Sequence, residues 1–138
     1  MFCCEIISGL WIGDSDIMCS SKFIRENNIE IVINFTIDCV SPVNDIRFIR
    51  IPILDDLKND TDILELNKYL KDILLLIQNN TDKCNILLSC YDGKSVSALV
   101  IALYILKNSS ITSTSVRRLI QSKSKDIALD YDFSFFIV

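Results

Sequence analysis

A chain of 138 residues, half of them apolar and 23% charged, has the length for one sizeable core and no room for a second domain. Its net charge of −4 argues against general nucleic-acid binding, which needs clustered Lys and Arg to displace counterions from the phosphate backbone. Six cysteines without a C-x-x-C pair, and no His at all, leave no set of residues for a metal site, so no metal and no cofactor are expected.

The apolar runs at residues 73–77 and 99–106 are too short to cross a bilayer, which excludes a membrane span. Met1-Phe2-Cys3-Cys4-Glu5 has no basic stretch leading into an apolar one, so a reducing, cytoplasmic setting with unpaired thiols is expected. With five Gly and Pro in total and no repeat or polar linker, residues 1–138 read as one continuous domain.

Leu10-Trp11-Ile12-Gly13 reads as a short strand closed by glycine, and residues 14–28 as a helix with Phe23 and Ile24 turned inward. The run Glu30-Ile31-Val32-Ile33-Asn34-Phe35 has the β-rich apolar character of a buried strand, and residues 46–53 of another. Pro52 and the acidic stretch 55–62 form a loop. Ile63, Leu66, Leu70, Ile73, Leu74 and Ile77 then recur at three- and four-residue steps, the core-facing stripe of a long helix. Residues 85–89 form a strand, 90–96 a loop and 97–107 a mostly apolar helix. Thr112 or Ser113 caps a last helix carrying Val116, Leu119 and Ile120, and residues 131–138 make a final apolar segment. Strands alternating with helices define an α/β fold with a mainly parallel central sheet flanked by helices.

In such a sheet ligands bind beyond the carboxyl ends of the strands, where a loop feeds the next helix. Residues 90–97 occupy that position. Backbone N–H groups curled there, with the positive end of the helix dipole, form an anion nest, and a Cys at its start is placed as a sulfur nucleophile.

Ser89-Cys90-Tyr91-Asp92-Gly93-Lys94-Ser95-Val96-Ser97 resembles the H-C-x-x-G-x-x-R-S loop of the cysteine-dependent, dual-specificity protein phosphatases. The likeness extends over nearly the whole chain. Gly9-Leu10-Trp11-Ile12-Gly13 resembles the family's G-L-Y-L-G strand, Ile31 to Thr36 its V-I-N-x-T strand, and Ile51-Pro52-Ile53-Leu54-Asp55-Asp56 its I-P-x-x-D segment. Within the family the poxviral members are similar in their N-x-T-x-D and I-P-x-x-D-D motifs. The resemblance implies a dual-specificity phosphatase-like fold, Cys90 in the place of the nucleophile and Asp55 in that of the general acid, with Asp56 one residue out of register.

The departures fall on the chemistry. In the mechanism that the resemblance implies, a thiolate attacks phosphorus, a loop Arg clamps the phosphoryl oxygens with forked N–H groups, and an Asp protonates the leaving oxygen. Val96 stands where that Arg belongs, and losing such a clamp costs about a thousandfold or more in rate. Ser89 replaces the His before the nucleophile. Asp92 adds a negative charge that opposes both thiolate and phosphate, and Lys94 is a point charge that does not reproduce a bidentate fork. Cys90 and Asp55 therefore read as relicts, Gly93 as a tight-loop residue under any function, and Ser97 as a helix N-cap. Residues 90–97 together read as a degenerate phosphate loop.

The expected function is that of a pseudophosphatase acting as a protein-binding or regulatory module, for phosphoproteins or for a phosphatase's substrates, in the host-cell cytoplasm if the chain is viral. The alternative is a weakly active or unconventional phosphatase using Cys90 and Asp55, with Lys94 or an out-of-register Arg replacing the clamp. A redox role for Cys90 ranks below both. A homodimer stays open, but not through the N-terminal helix of the poxviral relatives, because the chain starts almost at its first strand.

Overall fold

The computed structural model describes residues 1–53, 57 and 59–136. Its strands are β1 (Cys3–Ile7), β2 (Leu10–Gly13), β3 (Ile29–Asn34), β4 (Arg47–Arg50) and β5 (Asn85–Ser89). They form one sheet in the order β1-β2-β5-β3-β4, with β2, β5, β3 and β4 parallel and β1 antiparallel at one edge. The mainly parallel sheet is thus as the sequence implies, with an antiparallel edge strand that the pattern does not announce. β1 escapes notice because Cys3 and Glu5 face solvent and only Ile6 is fully buried.

Side-chain alternation sorts the sheet's residues onto two faces. Leu10, Ile12, Ile31, Ile33, Ile86 and Leu88 join the large core, whereas Val32 and Leu87 join a second, smaller one with Trp11 packed against it. The large core is covered by α3 (Asp60–Asn80), α4 (Val96–Asn108) and α5 (Ser113–Gln121). Helix α3 contributes Leu66, Leu70, Ile73, Leu74 and Ile77, all at most 3% exposed, and each such burial stabilises the fold by about 2 kcal/mol as an upper estimate. Ile63, at the start of the stripe, is only half-buried.

The smaller core lies under two short helices, α1 (Ser15–Met18) and α2 (Ser21–Glu26), where the sequence pattern suggests one. The break has a local cause: the Ser20 hydroxyl accepts from Phe23 N and restarts the helix with its own N-cap. Ile24 is buried and Phe23 half-buried, its ring edge-on to Trp11 at 5.6 Å.

Three other boundaries differ from the sequence reading. The fourth strand is confined to Arg47–Arg50. Helix α3 starts inside the acidic stretch, because the Asn59 side chain accepts from Asp62 N and acidic residues suit a first turn. Helix α4 begins at Val96, one residue early, which matters for the loop before it. Thr112 caps α5 as expected, and the final apolar segment holds a short 3-10 turn, Phe133–Phe135.

Candidate functional site

Gly13, Ser89, Asn34 and Arg50 lie in one row across the carboxyl ends of β2, β5, β3 and β4. The segment that leaves the central strand at Cys90 and enters α4 at Val96 crosses this row. Three contacts fasten it to the turn after β2. Cys90 N donates to Gly13 O (3.3 Å), Ser15 N donates to Tyr91 O (3.4 Å), and the buried Ser89 hydroxyl donates to Asp14 O (3.1 Å). Ser89, read from the sequence as a lost support, is therefore still an anchor, through a shorter side chain.

Gly93 completes the fastening. Its φ is +73°, and a Cβ there would lie 2.4 Å from Asp14 N and 2.5 Å from Gly13 C, so backbone packs directly on backbone. On the other flank, Tyr91 donates its phenolic proton to Asp38 (2.5 Å) and accepts from Ile37 N (3.0 Å). That hydrogen bond pushes the Tyr91 phenol up and holds the Asp38 carboxyl below its usual range. Arg50 braces the receiving segment by donating to the carbonyls of Thr36, Ile37 and Cys39, and Asn34 ties the same turn to Thr36 and Cys39. Sequence reasoning missed Arg50, Asp38 and this use of Tyr91, because their partners are distant in the chain.

The interior of the loop is organised by Asp92. Its Oδ1 accepts from Lys94 N (2.9 Å), the Ser95 hydroxyl (3.0 Å) and the Cys90 thiol (3.4 Å). An anion nest offers such donors to a ligand, so the loop carries its own anion, covalently attached. Cys90 Sγ is the donor in this arrangement.

Val96 is completely buried in the large core, so the position of the expected guanidinium is an apolar contact. Ser97 does not cap α4. Because the helix starts at Val96, Ser95 stands at the N-cap, its hydroxyl already committed to Asp92, while Ser97 Oγ is buried with no hydrogen-bond partner among the described residues.

Among the described residues, the nearby cations are engaged elsewhere. Lys94 Nζ lies over the Phe2 ring at 5.3 Å, and Phe2 is pinned by its N–H to Asp14 Oδ2 (2.7 Å). Arg117 stacks on Phe133 at 4.0 Å and donates to the carbonyls of Leu129 and Tyr131. Asp55 and Asp56, in the place of the general acid, lie outside the described residues.

Beside the loop runs a groove of about 550 Å³, lined by Asp92 and Ser95 of the loop, by Leu57 and Ile63, and by residues of the segment from Ala128 to Phe136. Ala128 N donates to Lys94 O (2.9 Å), which holds that segment against the loop. Among the described residues no three His, Cys, Asp or Glu side chains are grouped to hold a metal ion, and no helix is long and apolar enough to cross a membrane.

A strand, a cysteine-headed loop and a helix, in this order on a mainly parallel sheet, define a phosphatase-type scaffold. Residues 10–138 match the family model described as the dual specificity phosphatase catalytic domain, and the chain belongs to that family. It is 26% identical to mouse dual specificity protein phosphatase 8 over 132 residues, covering 94% of this chain and 19% of the mouse protein. It is 25% identical to fruit-fly dual specificity protein phosphatase Mpk3 over 134 residues, 94% of this chain and 31% of the fly protein. The chain thus spans under a third of the length of these curated relatives.

Among solved structures, human DUSP28 superposes with a TM-score of 0.80 at 15% identity, over 96% of this chain and 87% of that one. A human protein described as tyrosine phosphatase-like serine/threonine/tyrosine-interacting protein superposes with a TM-score of 0.79 at 17% identity, over 95% and 89%. At such identities these likenesses speak for the fold.

Proposed function

We propose that this chain is a catalytically silent dual-specificity phosphatase domain that holds a protein partner without hydrolysing phosphate. One observation carries the reading: Val96 is buried where a guanidinium fork would stand, and the Asp92 carboxylate accepts from Lys94 N, the Ser95 hydroxyl and Cys90 Sγ inside the loop. A bound phosphate would have to displace a tethered carboxylate and would meet its charge. The fold around the loop is kept, which favours a retained binding role over simple decay. The solved relative whose name describes it as phosphatase-like and interacting supports the same reading. Kinship to the poxviral members, and with it action in a host-cell cytoplasm, is part of this proposal and rests on the N-x-T-x-D and I-P-x-x-D-D motifs.

The second reading, a weakly active enzyme using Cys90 and Asp55, is favoured by the presence of Cys90 at the head of the loop and by curated relatives named as phosphatases. Hydrolysis of an aryl phosphate decides between them. The unmodified chain is expected to give no turnover above buffer, and a variant combining Ser89→His, Asp92→Ala and Val96→Arg, checked for folding by circular dichroism, to gain turnover that Cys90→Ser removes. Robust turnover by the unmodified chain, lost in Cys90→Ser, would overturn the proposal in favour of the second reading.

A further inference from the structure

The groove beside the loop has the wrong character for a phosphate and a definite character of its own. Its walls are mainly apolar, with Ile63, Tyr131 and Phe135 among them, and Phe135 is 61% exposed although aromatic. Its polar side chains include three carboxylates, those of Asp92, Asp130 and Asp132, and no Lys or Arg lines it among the described residues.

Among the described residues, several charges near it are committed elsewhere. Asp92 offers Oδ1 to the loop, and Asp132 offers Oδ1 to Ser134. Arg117 is close enough to Asp132 to lower its pKa alongside the Ser134 bonds, yet its guanidinium is fixed on the Leu129 and Tyr131 carbonyls and the Phe133 ring. Lys94 turns to Phe2. A groove with apolar walls and an acidic rim complements a side chain with an apolar stem and a cationic head, which is the build of arginine.

We propose that this groove docks a partner segment in which an arginine is flanked by an apolar residue, the guanidinium meeting Asp130 and Asp132 and the apolar residue lying on Ile63, Tyr131 and Phe135. The inference rests on the binding role proposed above and names the chemistry of the partner. The site has inverted its preference: a cradle built for an anionic group now presents carboxylates to a cationic one. Because the carboxylates lie at a rim open to water, the attraction is screened by salt and each contributes modestly.

Amide-resolved NMR titration of the folded chain tests this with three acetylated, amidated tetrapeptides, Gly-Arg-Leu-Gly, its citrulline counterpart and its phosphotyrosine counterpart. The arginine peptide is expected to shift the amides of Asp92, Ser95, Ala128 and Asp132, to bind at least about fivefold more tightly than the citrulline peptide, and to weaken as salt is raised. The isosteric double variant Asp130→Asn with Asp132→Asn keeps the oxygen that accepts from Ser134 and is expected to lose most of that preference.

Equal binding of arginine and citrulline peptides would overturn the proposal. So would a response of these amides to the phosphotyrosine peptide alone, or no response to any peptide. Shifts of the same amides with protein concentration alone would assign the groove to a second copy of the chain and also overturn it. These failures are separable from failure of the silent-domain reading proposed above, since turnover of an aryl phosphate by the unmodified chain tests that reading and the peptide titrations do not.

Discussion

The two flanks of the Cys90–Ser97 loop are built on opposite terms. Toward β2 and the turn after β3, backbone rests on backbone at Gly93, Ser89 and Cys90 are bonded to the Gly13–Asp14 turn, and Tyr91 is tied to Asp38. Toward the groove, the loop presents a carboxylate and a serine to open space walled by a segment nearly forty residues further along the chain. Shape is held on one flank, and the docking proposed above falls on the other. The comparison separates the path of the loop from the chemistry of its open face, because different residues carry the two properties.

Gly93→Ala breaks the comparison most severely. A Cβ would strike the Gly13–Asp14 backbone, where no side chain can move aside, and the left-handed conformation is itself unfavourable for Ala. A loss of about 3 kcal/mol is expected, read as a fall of about 10 °C in the thermal midpoint. A midpoint unchanged within error would show that the turn after β2 does not support the loop.

Asp92→Ala sharpens the comparison with a smaller effect on stability. Removing the shared acceptor of Lys94 N and the Ser95 hydroxyl is expected to cost about 1 kcal/mol in urea denaturation. The same change frees those donors, so inorganic phosphate is expected to shift the Lys94 and Ser95 amides in the variant and not in the parent. Phosphate shifting them equally in both would mean that Asp92 does not occupy the nest.

Tyr91→Phe has the smallest effect, on an exposed bond, and its signature lies in pH. The Tyr91 phenol is pushed up by its bond to Asp38, so its contribution is complete below the ordinary tyrosine range and is lost as pH rises through the raised value. The Asp38 carboxyl is held down chiefly by the same bond, so its contribution is present above the ordinary carboxylate range and is lost as pH falls. Phenolate absorbance of the parent minus that of Tyr91→Phe is expected to titrate above an ordinary tyrosine, and a normal midpoint in that difference would remove Asp38 as the partner.

Much of the scaffold was legible because its signals are local. The apolar runs of β3 and β5 and the stripe of α3 each lie within one element, and the loop was placed by the strand before it and the helix after it. The antiparallel β1 was hidden by its exposed Cys3 and Glu5. The site was legible as a position and as a set of departures, but not as a set of contacts. Which groups Asp92 would accept from depended on the backbone path around Gly93, and the Tyr91–Asp38 bond joins residues 53 apart. Ser97 reads as a cap in the sequence, but one residue's difference in where α4 begins moves the cap to Ser95.

Gly93 has a further consequence. The loop leaves the central strand of the sheet and rests directly on the end of its neighbour β2, so it acts as a splint between two strands. Position 96 carries a valine that the core accepts, while the glycine at the splint is bound to the stability of the whole domain. The outline of the loop is then set by the stability of the domain, whatever the loop binds or hydrolyses.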